Sequence, residues 1–381
     1  MPRDYTGTLV TPQSAAVYDT AASSTMWAVV FAGGIGSRFW PLSTPARPKP
    51  LLALVSGSPL LADTVGRLQP LIPPERVLIA TSRDIAPAIR SVVQEVPEAN
   101  VLIEPRPLGT AAALAWAAQE VARRAGPETL LCAVHADLAI GFPGAFREGI
   151  RRAASIAQSD DALVALGVRA TRAEPQFGYH VPGALLDADA PFAAAGARPV
   201  ASFVEKPSEQ EARALVGDDA LWHSGVVMGS AKRFLSELRD CTPEIAPGLP
   251  ALAAGDLPLF VQAIRSVGLE RGLLERTERM LVLPCDCGWD DVGTWASLRR
   301  ARELDDDGNG ALGEVSFVDA TGNVVHAERG SVVMYGVSQL LVVSLNGLTF
   351  VTTLERANDL KPMLDALPGS MRINPSGQSV H

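Results

Sequence analysis

A short apolar run, Trp27 to Ala32, passes without a spacer into Gly33-Gly34-Ile35-Gly36. Its β-branched centre suits a buried strand better than a helix. The glycines let the chain leave that strand in a tight turn and offer backbone N–H groups to an anion. Arg38 follows at once, and Lys49 lies further on in a proline-rich stretch. A strand, a glycine turn and two cations read together as a cradle for a polyphosphate. Two commoner phosphate motifs are absent: no GxxxxGK run followed by Ser or Thr occurs, and the third glycine of a GxGxxG fingerprint is replaced by Phe39. A glycine-rich turn beside a solvated arginine would explain the bare GGxG equally well, so the decision rests on the wider string.

Beyond the turn, β-type runs at 28–32, 77–80, 101–103 and 129–134 alternate with helical patterns at 60–71, 85–95, 110–124 and 146–158. This rhythm predicts an α/β domain with a mostly parallel sheet flanked by helices. Ligands of such sheets gather at the carboxyl ends of the strands, where the glycine turn lies. A strand at 163–166 leads into a less regular stretch with Gly178-Tyr179, Pro182-Gly183 and an alanine-rich tract to Ala197, the kind of insertion that walls a substrate site. Strands are expected at 200–204, 224–228 and 281–283, and helices at 209–216, 231–239 and 295–304. After an acidic linker at 305–310, turn signals at Thr321-Gly322-Asn323, Arg329-Gly330-Ser331, Gly336 and Asn346-Gly347 mark a separate all-β module, closed by a helix at 359–367. Residues 1–25 are polar and aperiodic and read as a loose extension, with Met26 a candidate native start. The expected division is 1–25, then a catalytic domain at 26–304, then the β module at 311–381.

At 381 residues and 47% hydrophobic, the chain can bury a full core. A net charge of -9 argues against nucleic acid or an anionic membrane as partner, so an anionic ligand must be held by a local pocket. No apolar stretch approaches the ~18 residues of a membrane span, and the start lacks the features of a secretion signal. Cys132, Cys241, Cys285 and Cys287 have no CxxC spacing and read as reduced thiols of a cytoplasmic protein. Cys285-Asp286-Cys287 has a one-residue gap and no nearby His, which is weak support for a metal site.

The string from Gly33 through Arg38-Phe39-Trp40-Pro41-Leu42-Ser43, followed by Pro48-Lys49, closely resembles the signature loop of the sugar-nucleotidylyltransferases. Its Trp-Pro-Leu-Ser ending is similar to the guanylyltransferase branch that acts on mannose 1-phosphate. The resemblance covers Ala28 to Leu367, more loosely in the β tail, and no long C-terminal cupin half is present. It implies a Rossmann-like fold of the nucleotide-diphospho-sugar transferase type with a small β-helix-like module. The implied activity is transfer of GMP from GTP to mannose 1-phosphate, giving GDP-mannose and pyrophosphate. The alternatives are the same transfer with another sugar 1-phosphate or nucleotide, and a non-catalytic homologue that binds nucleotide-sugar and regulates a partner. GTP and a sugar 1-phosphate are the implied ligands, and a homodimer is compatible with this reading.

Such a reaction brings two anions together, so charge neutralisation and in-line geometry matter more than a protein nucleophile, and Mg²⁺ is the natural device. By the resemblance, Ala32, Gly33, Gly34, Gly36 and Ser37 contact the nucleotide, Arg38 holds the leaving pyrophosphate and Lys49 neutralises the phosphates. Asp137 in His135-Ala136-Asp137, and Asp291 in the segment Trp289 to Trp295, match the family's two metal-ligating aspartates. Alone, an Asp past a strand would read as a cap or turn acceptor. The family's His after the first Asp is here Leu138. In Val204-Glu205-Lys206-Pro207, Glu205 would accept from sugar hydroxyls and Lys206 would pair with the sugar phosphate; the bland alternative is an exposed ion pair. Gly178 and Tyr179 match a loop beside the sugar, and Ser224 lies in Trp222-His223-Ser224-Gly225, where His223 replaces the family's Asn. Glu104 and Thr110 match positions near the nucleoside, but the family's Arg-Asn pair is here Leu108-Gly109. Glu270 falls where the family has an Asp, and reads equally well as an exposed helix residue.

Overall fold

The computed structural model describes residues 26–34, 36–44, 47–184 and 196–368. The extension expected at 1–25 and most of the alanine-rich tract, at 185–195, lie outside the described residues.

The expected βα alternation is present. β1 (Trp27–Phe31), β2 (Val77–Ser82), β3 (Val101–Glu104) and β4 (Leu130–His135) run parallel in the order β3-β2-β1-β4. They are connected through α1 (Leu60–Leu68), α2 (Ala86–Val92) and α3 (Thr110–Ala125). β1 is nearly continuous in apolar residues because both of its faces are covered. Ala28 and Val30 enter one core, under α1 and α2, while Val29 and Phe31 enter the other, under α3. The small strand β5 (Ala139–Ile140), then α4 (Pro143–Asp160), β6 (Leu163–Arg169), β7 (Gly178–Pro182), β8 (Arg198–Glu205), α5 (Glu209–Gly217) and β9 (Leu221–Ser230) follow. After α6 (Ala231–Cys241), α7 (Leu249–Ala253) and α8 (Leu257–Ala263) comes β10 (Met280–Pro284).

The parallel arrangement holds across the first four strands; beyond them the nine-stranded sheet, ordered β3-β2-β1-β4-β9-β6-β10-β8-β7, is mixed. β9 pairs antiparallel with both β4 and β6, and β7 and β8 form an antiparallel edge. The stretch around Gly178-Tyr179, expected to be irregular, is therefore partly strand, and its hydrogen bonds go to β8 and β9.

The helix expected at 295–304 is shorter. After β11 (Trp289–Asp290), a 3₁₀ turn at Trp295–Ser297 leads into α9 (Leu298–Ala301), which stops at Arg302. There the backbone turns extended and the buried guanidinium donates to Leu54 O, Val325 O and the ring of His326.

The tail consists of β12 (Gly310–Val318), β13 (Val324–Tyr335), β14 (Leu340–Leu345), β15 (Leu348–Thr353) and α10 (Lys361–Ala366). β12, β13 and β14 lie parallel although only short turns join them. A flat parallel sheet needs long crossovers, so successive strands here are coils of a β-helix-like module. Asn309 and Asn323 stack at its turns, Asn323 Nδ2 donating to Asn309 Oδ1 at 2.9 Å and Leu340 N donating to Asn323 Oδ1 at 2.9 Å. The module is less separate than the linker suggested. Val325, Met334 and Val342 form its own core, but Val324, Leu341 and Val343 share another with Phe39, Trp40, Leu42, Val292 and Trp295.

Candidate functional site

β1 ends at the glycine turn. Gly33 and Gly34 are exposed, with open space where a Cβ would lie. Gly36 has φ +69°, and a Cβ there would stand 2.4 Å from Lys49 Cβ. Only glycine lets the turn close over the lysine stem. The 3₁₀ turn Ser37–Phe39 then presents Arg38, an exposed side chain that donates to Gln176 Oε1 at 3.1 Å.

Lys49 is buried and its ammonium is the centre of the site. Its Nζ lies 2.8 Å from Asp137 Oδ2 and 2.8 Å from the backbone oxygen of Asp291. Asp137 stands just beyond β4, in a backbone pinned on both sides. Thr64 Oγ1 donates to Ala136 O at 3.0 Å, and the buried Arg67 guanidinium donates to Leu138 O at 2.8 Å. Burial disfavours ionisation of Asp137, but Lys49 and His135 outweigh it and hold the carboxyl below its ordinary value. Asp291 sits in the turn after β11. Its neighbour Asp290 is taken by Arg300 at 2.7 Å and accepts from Val292 N. The Asp291 carboxylate accepts from Gly293 N, at 3.2 Å, and a Cβ on Gly293 would come within 2.6 Å of its Oδ2. Burial pushes the Asp291 carboxyl up to about 6; Lys49 opposes the rise, and Asp290 and Asp137 add to it.

Gly36, Arg38, Lys49, Asp137, Gly178, Glu205, Lys206 and Asp291 line one cleft of about 410 Å³ at the carboxyl ends of the parallel strands. Glu205 closes β8. Its carboxylate takes Lys206 Nζ at 2.7 Å, and burial raises its pKa against the pull of that lysine. Gly178 lets the carboxylate lie close, since a Cβ there would be 2.9 Å from Glu205 Oε2.

Several expected residues take other places. Ala32 is buried, bonded through its N–H to Ala80 O and through its O to Thr81 Oγ1. Strand alternation separates Tyr179 from the cleft: Gly178 faces it, so Tyr179 points into a small aromatic core, where its hydroxyl accepts from Glu174 N at 2.8 Å. The same rule applies on β9, where His223 and Gly225 line the cleft while Ser224, between them, donates to Leu166 O at 2.7 Å. Thr110 Oγ1 accepts from Leu269 N at 2.7 Å, a latch between α3 and the segment that carries Glu270. Glu104 is half-buried at the end of β3, and burial raises its carboxyl to about 7. Leu108 is fully buried and Gly109 has φ +85°, with Val267 O 2.3 Å from where a Cβ would lie.

Sequence reasoning gave no role to His135, Gln176 or Trp289, which with Phe177 of the sugar-side loop line the walls, and left Glu270 undecided. Glu270 starts a π-helical turn, Glu270–Leu274, and meets His135 Nε2 at 3.3 Å. Burial opposes charge on both partners, yet their pairing raises the His135 pKa and lowers that of Glu270 to about 2. The period-2 pattern of β4 was the available signal for His135, because Asp137, two residues on, already marked the open face; on β9 the choice of Ser224 pointed the other way and hid His223.

Comparisons with known proteins agree with this geometry. Residues 27–308 match the nucleotidyl transferase family. A mannose-1-phosphate guanylyltransferase of Escherichia coli (strain K12) is 31% identical over 366 residues, covering 92% of this chain and 75% of that protein. One from Salmonella muenchen is 30% identical, covering 90% and 74%. A crystal structure from Thermus thermophilus, described as a mannose-1-phosphate geranyltransferase, superposes with a TM-score of 0.80 at 33% identity, over 90% of this chain and 98% of that one. With the glycine turn, the buried lysine and the two aspartates in one cleft, the chain belongs to the nucleotidyl transferase family.

Proposed function

We propose that this protein is a mannose-1-phosphate guanylyltransferase. A phosphate oxygen of mannose 1-phosphate attacks the α-phosphorus of GTP, the bond from that phosphorus to the β-phosphate oxygen breaks, and GDP-mannose and pyrophosphate leave. The observation that carries the reading is Lys49, placed 2.8 Å from both Asp137 and the Asp291 backbone in a cleft shared with Arg38, Glu205 and Lys206. The names borne by the relatives from E. coli and Salmonella support the choice of guanylyl transfer and mannose 1-phosphate.

The residues divide the work by charge. The amides of the glycine turn and Arg38 would bind the triphosphate and keep the leaving pyrophosphate in line. Lys49 would follow the negative charge as it shifts from the attacked phosphate to the leaving group. Lys206 would pair with the sugar phosphate and Glu205 would accept from sugar hydroxyls, its carboxylate being acceptor-only. Asp137 and Asp291 would hold a divalent cation, Mg²⁺ in this reading. The donor set fits: one lysine faces two carboxylates, and the raised Asp291 pKa marks a place short of positive charge. When bound, the ion would withdraw charge from the reacting phosphates.

The test is pyrophosphate release measured with four nucleoside triphosphates against a panel of sugar 1-phosphates. GTP with mannose 1-phosphate is expected to give the highest kcat/KM, with weaker rejection of ATP than a fully hydrogen-bonded base pocket gives, because Leu108 and Gly109 supply no side-chain donors. Turnover confined to another pair would reassign the substrates, and no turnover with any pair would overturn the reading.

A further inference from the structure

Two histidines meet behind the cleft. His180, on β7, is wholly buried, and its Nε2 lies 3.0 Å from Nδ1 of His223, on β9, which lines the cleft. The remaining nitrogens, Nδ1 of His180 and Nε2 of His223, are buried and have no hydrogen-bond partner in the described structure. Both rings pack against Phe203, at centroid distances of 4.8 and 5.6 Å. Burial lowers the basicity of both, that of His223 to about 4, so each is a neutral imidazole with one N–H at pH 7.

That single shared contact couples the two tautomers, and whichever ring donates, one N–H of the pair is left over. Were His223 the donor, His180 would carry its own proton on Nδ1, sealed in the core without an acceptor. With His180 donating from Nε2, its Nδ1 is merely an unused acceptor, and the surplus N–H falls on Nε2 of His223. Orphaned buried N–H groups are rare, so the left-over N–H belongs on the ring that lines the cleft, where a ligand can answer it, and not on the ring sealed behind it. His223, unlike His180, lines the cleft and lies within the field of the Glu270 carboxylate.

We propose that His223 is a specificity-determining residue for the sugar phosphate: a donor-only Nε2–H, its tautomer set by His180, whose partner is a hydroxyl oxygen of the seated sugar. The proposal rests on the functional reading above. An asparagine at this place would offer both a donor and an acceptor; this imidazole offers a donor alone and demands an acceptor opposite it. In the unliganded protein this nitrogen is buried, on a residue that lines the cleft. For that contact the ring must turn on sugar binding until Nε2 reaches the cleft.

The experiment has a spectroscopic and a kinetic arm, both on the full chain. Long-range ¹⁵N–¹H spectra of the imidazoles, assigned with His223→Asn and His180→Phe, should show His223 in the Nε2–H form at pH 7.5. Its Nε2 signal should move on titration with mannose 1-phosphate. A predominant Nδ1–H form at His223, or an unmoved signal at saturating sugar phosphate, would overturn the proposal. In kinetics, His223→Ala should raise KM for the sugar 1-phosphate about tenfold and leave KM for the nucleotide unchanged. His223→Asn should restore it and make it insensitive to His180→Phe. Among deoxy analogues of mannose 1-phosphate, one should lose as much with the native enzyme as His223→Ala loses with the parent sugar, with no further loss in combination. Turnover with an unchanged sugar KM in His223→Ala would overturn this assignment alone, whereas absence of turnover with every sugar 1-phosphate would overturn the functional reading with it.

Discussion

At the scale of single residues the site is an arrangement of conflicts held in place. Asp291 stands close to Asp290 and Asp137, and burial first, then those two carboxylates, lift its carboxyl to about 6 against the pull of Lys49. Replacing it by Asn should therefore raise the thermal midpoint of the metal-free protein at pH 7 while removing activity, a trade of stability against function. Asp137→Asn and Asp291→Asn should each cost about 3 kcal/mol of transition-state stabilisation, and the double variant should be little worse than either, because the pair acts as a unit. Near-native turnover in either single variant at saturating Mg²⁺ would remove that residue from the metal site. Gly36→Ala places a methyl 2.4 Å from the lysine stem at a φ of +69°, so Lys49 must move. A displacement of that size should lower kcat by about 10²-fold with the fold intact by circular dichroism. Restoring the family's Arg-Asn pair at Leu108-Gly109 is not a usable test of base selectivity. Leu108 is core, and a side chain on Gly109 would strike the backbone of Val267.

At the scale of elements, what could be read from the sequence was what local pattern controls. The parallel strands were legible because two-sided burial makes them continuous apolar runs, and the glycine turn because its backbone has few alternatives. Lys49, Asp137, Asp291, Glu205 and Lys206 came from motifs, and the structure brings all five into the cleft. Tyr179 and Ser224 went to the wrong side because a motif names neighbours without saying which face each takes; one step along a strand reverses the side chain. The antiparallel insertion of β9 and the small helices α7 and α8 depend on tertiary contacts that no local window contains. The same holds for Glu328 on β13, which reaches back to Arg47 at 2.6 Å. His326, 3.9 Å away, and Arg47 together outweigh burial and hold the Glu328 carboxyl at about 2. A depressed acid contributes stability above its unfolded value of about 4.5 and loses it as pH falls toward about 2. Glu328→Gln should thus lower the thermal midpoint at pH 7, and the gap from the native protein should close between about pH 4.5 and 2. A gap independent of pH would mean that the carboxylate charge contributes nothing to docking the module.

At the scale of the whole molecule, the β module and the cleft are joined through one core. Phe39, Trp40 and Leu42 follow the glycine turn, Val292 and Trp295 follow Asp291, and both groups pack on Val324, Leu341, Val343 and Leu354 of the tail. Trp295 Nε1 donates to Trp40 O at 2.9 Å, which ties the two loops directly. Packed in this way, the module would limit independent movement of the two loops and so help to hold Arg38 and Lys49 in register with Asp291. Leu341 is fully buried in this shared core and is not among the residues that line the cleft. Leu341→Ala should cost about 2–5 kcal/mol of stability through the cavity it leaves. If the core also aligns the loops, the folded variant at 25 °C should bind Mg²⁺ and nucleotide more weakly and turn over more slowly, and added Mg²⁺ and GTP should raise its thermal midpoint by less than they raise the native protein's. Loss of stability with unaltered kcat and KM per folded molecule would show the module to be a docked appendage whose packing does not reach the chemistry.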